Sequence, residues 1–270
     1  MWVNYFIIYI SKVYVCLQRH FKASKLFHFI SKKPFLKDLI PENHIDIHSH
    51  LLPGIDDGAQ TIENTVSLID DLQQIGFTQF IATPHVMKSV WENTRTGIES
   101  KLETTIHDLK VKKHPVVLKA AAEYLLDANF MTLFQTEPLL VLKDNYVLVE
   151  MSYINPPIQL YNIIFELQVA GYQPVLAHPE RYSFYHFSFS EYEKLKHSGC
   201  LFQLNLLSTI GYYGAEVTKT AEKLIKKGMI DFVGSDVHHQ NHINGFSKRL
   251  LFNPTPSLRE AITGNQFFRF

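Results

Sequence analysis

His48 and His50, then His85, Glu123, Glu150 and His178, and finally Asp236 and His238, stand at the ends of short apolar runs in this 270-residue chain. Each is a residue type that binds divalent metal ions. In an extended segment residues i and i+2 face the same way, so His48-x-His50 and Asp236-x-His238 can each bring two side chains to one site. A serine hydrolase needs one nucleophile and one base, whereas this assortment of imidazoles and carboxylates suits a multinuclear metal centre. Singly, each residue has a plainer explanation. A His-x-His pair can be structural, Glu123 and Glu150 can be held by backbone amides, His85 can be a turn residue after Pro84, and Asp236 can cap a helix. Their joint occurrence decides, because ionisable groups gathered at one mouth are repelled or desolvated unless cations compensate them. Cysteine chemistry is disfavoured: positions 22 and 206, six beyond Cys16 and Cys200, hold Lys22 and Leu206, so no Cys-x5-Arg loop exists.

The elements that must position these residues follow from alternation. Strand-like runs span His44–His50, Phe77–His85, Val116–Tyr124, Tyr146–Met151, Gln173–His178, Leu201–Leu206 and Asp231–His238. Between the first two, Ile62, Val66, Ile69, Leu72 and Ile75 recur at helical spacing and Gly76 follows as a stop. Further helices are expected near Asn93–Lys113, Ile158–Ala170, Ser190–His197 and Ala215–Lys227, with Gly171, Gly199 and Gly228 closing the last three. The strand ends recur about every thirty residues, the size of a βαβ unit. One closed or nearly closed α/β barrel of about seven strands is therefore expected, with its chemistry at the carboxyl ends of the strands.

Equal numbers of basic and acidic residues, 26 each, hide an asymmetry. Residues 1–37 carry seven basic residues (Lys12, Arg19, Lys22, Lys25, Lys32, Lys33, Lys37) and no acid, so positions 38–270 have 19 basic against 26 acidic residues, a net charge of −7. An acidic body argues against a nucleic-acid track. The apolar stretch Met1–Leu17 is interrupted by Asn4 and Lys12 and is shorter than the roughly 20 residues of a spanning helix. Its charge follows the apolar part, against the order of a signal peptide. Residues 1–35 are read as a basic, apolar extension, either a surface anchor or sequence added by an upstream start, and residues 36–270 as one folded domain. Two cysteines fit a reducing compartment.

Seven motifs together resemble the polymerase-and-histidinol-phosphatase (PHP) superfamily. They are His44–Gly58 (HIDIHSHLLPGIDDG), Ala82–His85, Ala122–Tyr124, Val149–Glu150, Ala177–Tyr182 (AHPERY), Gln203-x-Asn205 and Gly234–His238. Within it the chain most resembles the manganese-dependent protein tyrosine phosphatases of bacterial capsule and exopolysaccharide clusters, the CpsB/CapC type, over about Leu36 to Pro254. The resemblance implies a distorted (β/α)7 TIM-like barrel holding three divalent ions, with Mn favoured and Fe or Zn compatible with the same ligands. One ion takes His48, His50 and Asp236; Glu123 bridges to a second that also takes Glu150 and His178; the third takes Asp57, His85 and His238. Asp56 stands beside Asp57, and one step in register exchanges them.

The implied reaction is attack on phosphorus by a hydroxide held between the metals, with Arg181 as the catalytic and substrate-binding cation. The plainer reading of Arg181 is a surface ion pair with Glu180. Several relatives carry another Arg shortly after Asp-x-His, but His239–Phe246 (HQNHINGF) has none; either His239, His242, Arg95 or Arg249 assists phosphate binding or the clamp is weaker. The substrate expected from the resemblance is the phosphotyrosine tail of a membrane-bound tyrosine autokinase, met from the cytoplasm, with no nucleic-acid partner. Homo-oligomers are compatible with it. Two alternatives stay open: a small-molecule phosphatase of histidinol-phosphate type, and a metal-stabilised regulatory module without turnover.

Overall fold

The computed structural model describes residues 32–270, and in them short apolar runs alternate with amphipathic helices. The strands β1 (His44–Ser49), β2 (Phe77–Ala82) and β4 (Val117–Ala120) form one sheet in the order β1-β2-β4. A second sheet has the order β3 (His85–Val86), β5 (Glu123–Leu125), β6 (Tyr146–Glu150), β7 (Gln173–Ala177), β8 (Leu201–Asn205) and β9 (Phe232–Gly234). Every pairing within both sheets is parallel. The helices are α1 (Ile62–Ile75), α2 (Arg95–Val111), α3 (Ala128–Thr136), α4 (Leu160–Val169), α5 (Ser190–His197), α6 (Ala215–Lys226), α7 (Gln240–Gly245) and α8 (Pro256–Gly264). The fold is thus mixed α/β with parallel sheets.

Two expected strands are each broken into two. The run 77–85 yields β2 and β3, because Pro84 supplies no backbone N–H to a ladder. The run 116–124 divides beside it into β4 and β5. Pairing continues across both breaks: Ala121 N donates to the Ala82 carbonyl at 2.8 Å and Glu123 N to the Pro84 carbonyl at 3.1 Å. At the far side an isolated parallel bridge joins Ser49 to Val237, with His50 N donating to the Val237 carbonyl at 3.0 Å and Asp236 N to the His48 carbonyl at 2.8 Å.

Both faces of the strands are buried, as expected when helices cover a parallel sheet. Ile45 and Ile47 of β1, Leu148 of β6 and Val175 and Ala177 of β7 form an inner cluster closed by Phe268. Their neighbours Val147, Val149 and Leu176 face outward and belong to the large outer cluster that also holds Leu160, Ile163 and Leu167 of α4. α1 begins where Thr61 accepts a hydrogen bond from Asn64 N and ends at Gly76, whose φ of 126° suits glycine. The expected helices form with ends trimmed by a residue or two. The sequence reading omitted α3, α7 and α8, all short and without an extended stripe of helical period. Leu36, fully buried, marks where the chain joins the core; the reading of an N-terminal extension falls, for residues 1–31, outside the described residues. Among the described residues no helix is long and apolar enough to cross a membrane.

Candidate metal centre

The carboxyl ends of the strands bring the nine expected ligands together. His48 and His50 come from the end of β1, His85 opens β3, Glu123 opens β5, Glu150 closes β6, and His178 follows β7. Asp236 and His238 follow β9, and Asp57 comes from the loop after β1. Potential donor atoms form four groups: His48, His50 and Asp236; His50, Asp57, His85 and His238; His48, Glu123 and His178; and His85, Glu123 and Glu150. The first is the set expected for one ion, and the second contains the set expected for another with His50 added. Glu150 and His178, expected on one ion, fall into different groups, each with Glu123. His239 is exposed and lies in none of the four.

Backbone turns aim two of these side chains. His178 and Asp236 have φ of 36° and 50°, a left-handed conformation that costs a non-glycine residue on the order of 1–3 kcal/mol and is held by its surroundings. His178 N is bonded to the Gln203 carbonyl at 2.7 Å and Asp236 N to the His48 carbonyl. The alternation argument for Asp236-x-His238 therefore does not describe how that pair reaches the site: β9 has ended at Gly234, and a turn replaces the pleat. The two residues still approach each other, with 3.5 Å between His238 Nδ1 and Asp236 Oδ1.

Partners on one ring nitrogen leave the other free to face the centre. His50 Nδ1 is 2.7 Å from Asp56 Oδ2, His48 Nδ1 is 2.7 Å from Gln203 Oε1, and His238 Nδ1 is 2.9 Å from the Asp236 carbonyl. Each acceptor fixes the proton on Nδ1 and presents Nε2 as a lone pair. Asp56 is buried and also accepts from Gly58 N at 2.9 Å, while Asp57 is half exposed, 3.5 Å from Nε2 of both His85 and His238. The adjacent aspartates thus do different work, which their sequence could not separate.

These donors fit divalent ions. Nε2 of His48 and Nε2 of His50 lie 3.4 Å apart, though neither ring can donate to the other while its proton is on Nδ1. Among the described residues Glu123 Oε2 is buried without a hydrogen-bond partner, yet lies 3.2 Å from both His48 Nε2 and His85 Nδ1. His178 Nδ1 is likewise buried and unpartnered. Lone pairs converging without protons between them are what a cation satisfies. Backbone amides do not hold Glu123 or Glu150, whose side chains face His178 Nε2 at 3.0 Å and His85 Nδ1 at 2.9 Å.

Without cations, the charges settle against one another. Burial disfavours the charged form of His48, but the Glu123 and Asp236 carboxylates outweigh it and carry the imidazole up to about 9. Asp236 goes the opposite way, its burial overcome by His48, His238 and Arg181. Burial and the Glu123 charge raise Glu150, and burial with the nearby Arg181 lowers His178 to about 4.

Arg181 borders this cluster. Its Nη1 donates to Asp236 Oδ2 at 2.8 Å, and its guanidinium carbon lies 4.8 Å from the Tyr153 ring centre and 4.2 Å from that of Tyr213. The surface pair with Glu180 does not form. Glu180 is fully buried, accepts from Ser208 Oγ at 2.7 Å and Asn205 N at 3.0 Å, and is pushed up to about 7 by that burial. Asn205 Nδ2 donates to Asp236 Oδ2 at 2.8 Å, and His242 Nδ1 lies 3.1 Å from the Asp236 carbonyl. The His239 ring packs against that of His242, tilted by 40° with ring centres 4.1 Å apart. Arg95 and Arg249 are engaged elsewhere, the first by Glu99 and the Pro138 carbonyl, the second by the Lys33 carbonyl and the Phe35 ring. Gln203-x-Asn205 has no task legible in its spacing; the contacts to His48 and Asp236, distant in sequence, supply one.

Imidazoles and carboxylates thus converge beside an arginine at one end of parallel strands, a donor set suited to divalent metal ions on an α/β fold. Residues 44–245 match the family model described as "Capsular polysaccharide synthesis, CpsB/CapC", and the chain belongs to that family. It is 27% identical over 210 residues to CapC of Staphylococcus aureus, covering 77% of this chain and 82% of that protein. It is also 27% identical over 209 residues to the tyrosine-protein phosphatase YwqE of Bacillus subtilis (strain 168), with the same coverage. Among solved structures it resembles one from the work on YwqE from Bacillus subtilis and CpsB from Streptococcus pneumoniae, described as unique metal-dependent tyrosine phosphatases. The TM-score is 0.69 at 25% identity, over 83% of this chain and 86% of that one.

Proposed function

We propose that this chain is a metal-dependent protein-tyrosine phosphatase of capsular polysaccharide synthesis. The observation that carries the reading is the convergence of nine ligand-type side chains beside Arg181 in a member of the CpsB/CapC family. In this reading His48, His50 and Asp236 would hold one divalent ion, Glu123, Glu150 and His178 a second, and Asp57, His85 and His238 a third. Mn suits the nitrogen and carboxylate donors, as do Fe and Zn. The bridge between Ser49 and Val237 and the pairing across the two broken runs support a distorted (β/α)7 barrel of PHP type over residues 36–270.

Bound divalent ions supply positive charge for the phosphoryl oxygens and acidify a water for attack on phosphorus. The chain's own residues position the substrate. Arg181, fixed between two tyrosine rings and Asp236, keeps about a fifth of its side chain exposed and supplies its guanidinium to a phosphoryl oxygen. Burial lowers His242 to about 4, so near pH 7 it is a neutral ring that braces His239 and the Asp236 turn, and His239 is the residue that reaches substrate. A tyrosine leaving group, with a phenol pKa near 10, needs less protonation than an alkyl alcohol. The substrate proposed is the phosphotyrosine tail of a membrane-bound autokinase, met from the cytoplasm.

Phosphate release from a phosphotyrosine peptide, with Mn and with chelator, tests this. Turnover is expected with Mn alone, abolished in His48→Ala and lowered about 10²–10³-fold in Arg181→Ala. No release with any metal overturns the tyrosine reading, and release from histidinol phosphate only moves the chain to small-molecule substrates.

A further inference from the structure

A cavity of about 430 Å³ opens beside the metal centre and is lined mainly by apolar side chains, among them Leu125, Ala128, Met131, Pro157, Ile158 and Ile163. Among the described residues no Lys or Arg lines it. Its walls grow from the strands that carry the ligands. Leu125 lies two residues beyond Glu123 on β5, so its side chain leaves the strand on the same face, and it pairs with Glu150 of β6. The opposite wall is the loop from Ser152 to Gln159, which starts two residues after Glu150. That loop serves both places. Tyr153 lies under Arg181 with its hydroxyl 3.5 Å from His178 Nε2, while the next residue, Ile154, is 85% exposed and Ile158 is wholly exposed.

We infer that this groove is a subsite for an apolar side chain flanking the phosphotyrosine of a polypeptide substrate, an assignment that rests on the phosphatase reading. The origin of its walls selects the occupant: Leu125 pairs with Glu150, and the loop that forms the other wall also carries Tyr153 to Arg181, so a polypeptide held by its phosphotyrosine at Arg181 has this groove beside it. A cavity of this size takes one or two side chains, and burying an apolar one is worth about a tenfold gain in affinity. Small phosphomonoesters gain nothing from it.

The test uses the metal-loaded full chain on para-nitrophenyl phosphate and on two phosphotyrosine peptides that differ only in a leucine or a serine beside the phosphotyrosine. The leucine peptide is expected to have a KM about tenfold lower, and Ile158→Asp and Met131→Gln to erase that difference while leaving kcat and para-nitrophenyl phosphate turnover unchanged. Ile158 is fully exposed, so its substitution leaves the core intact. Equal KM values for the two peptides, or variants that keep the difference, overturn the subsite while the phosphatase stands. Ile158→Asp that lowers the mass in light scattering without changing either KM assigns the groove to a second copy of the chain and also overturns it. A wild-type protein inactive on all three substrates overturns the phosphatase reading and the subsite with it.

Discussion

At His50 the two ring nitrogens have separate tasks. Nδ1 is held by the buried Asp56 carboxylate, and Nε2 turns to the centre shared with His48 and Asp236. Burial alone would raise the Asp56 carboxyl, but His50 beside it holds it down, so the pair is charge-assisted. Asp56→Asn removes that charge while keeping the volume, and metal affinity is expected to fall by about 10–100-fold, read by competition with a coloured chelator. Unchanged affinity would show that the ring needs no such brace. Glu180 and Gln203 act at the same scale. Gln203 touches His48 directly and Glu180 acts through Asn205, which reaches Asp236; neither is marked by its residue type.

Elements carry the next constraint, because the loop after β1 must return against the strand it leaves. Ala59 N donates to the His50 carbonyl at 3.0 Å, and a Cβ on Gly58 would stand 2.2 Å from the same carbonyl oxygen. Gly58→Ala must therefore push the loop bearing Asp56 and Asp57 away from His50. A loss of about 1–3 kcal/mol in denaturant stability is expected, together with weaker metal binding. At the other end of β1, His44 is fully buried against the Phe77 ring, with neither ring nitrogen hydrogen-bonded. Burial lowers it from 6.5 to about 4, so between these values the unfolded chain binds the proton and the folded one does not. Its contribution is full above about pH 6.5 and is lost as pH falls toward 4, about 3 kcal/mol in all. His44→Phe is expected to flatten stability against pH in that window, measured by urea unfolding across it; an unchanged slope would mean that another group titrates there.

For the whole molecule, a cluster of buried carboxylates and imidazoles ties strands distant in sequence to one mouth. Ions that bind this folded cluster and not the unfolded chain stabilise it by mass action, about 2.7 kcal/mol for one site at a hundred times its Kd. For a chain of this size that corresponds to a Tm rise of roughly 5–10 °C per occupied site. Mn is expected to raise the Tm and chelator to return it to the apo value, followed by calorimetry. His48→Ala should respond less, since His48 belongs to two of the four donor groups. A Tm indifferent to Mn would count against a structural share in binding.

The sequence by itself determined the residue types at the strand ends, the alternation of strand and helix, and the glycine stop after α1, because these depend on local periodicity and turn chemistry. His85, Glu123, Glu150 and His178 were legible for that reason: each closes or follows an apolar run. Local pattern could not show that Pro84 divides a strand while pairing continues beyond it, or that Asp236 reaches the site through a left-handed turn rather than a pleat. Only the tertiary structure decided that Asp56 braces His50 while Asp57 faces His85 and His238, that Glu180 is buried away from Arg181, and that Tyr153 and Tyr213 flank that arginine. Each is set by which buried polar atom lies within about 3 Å of another to satisfy it, a relation between residues up to a hundred or more positions apart that no spacing along the chain encodes.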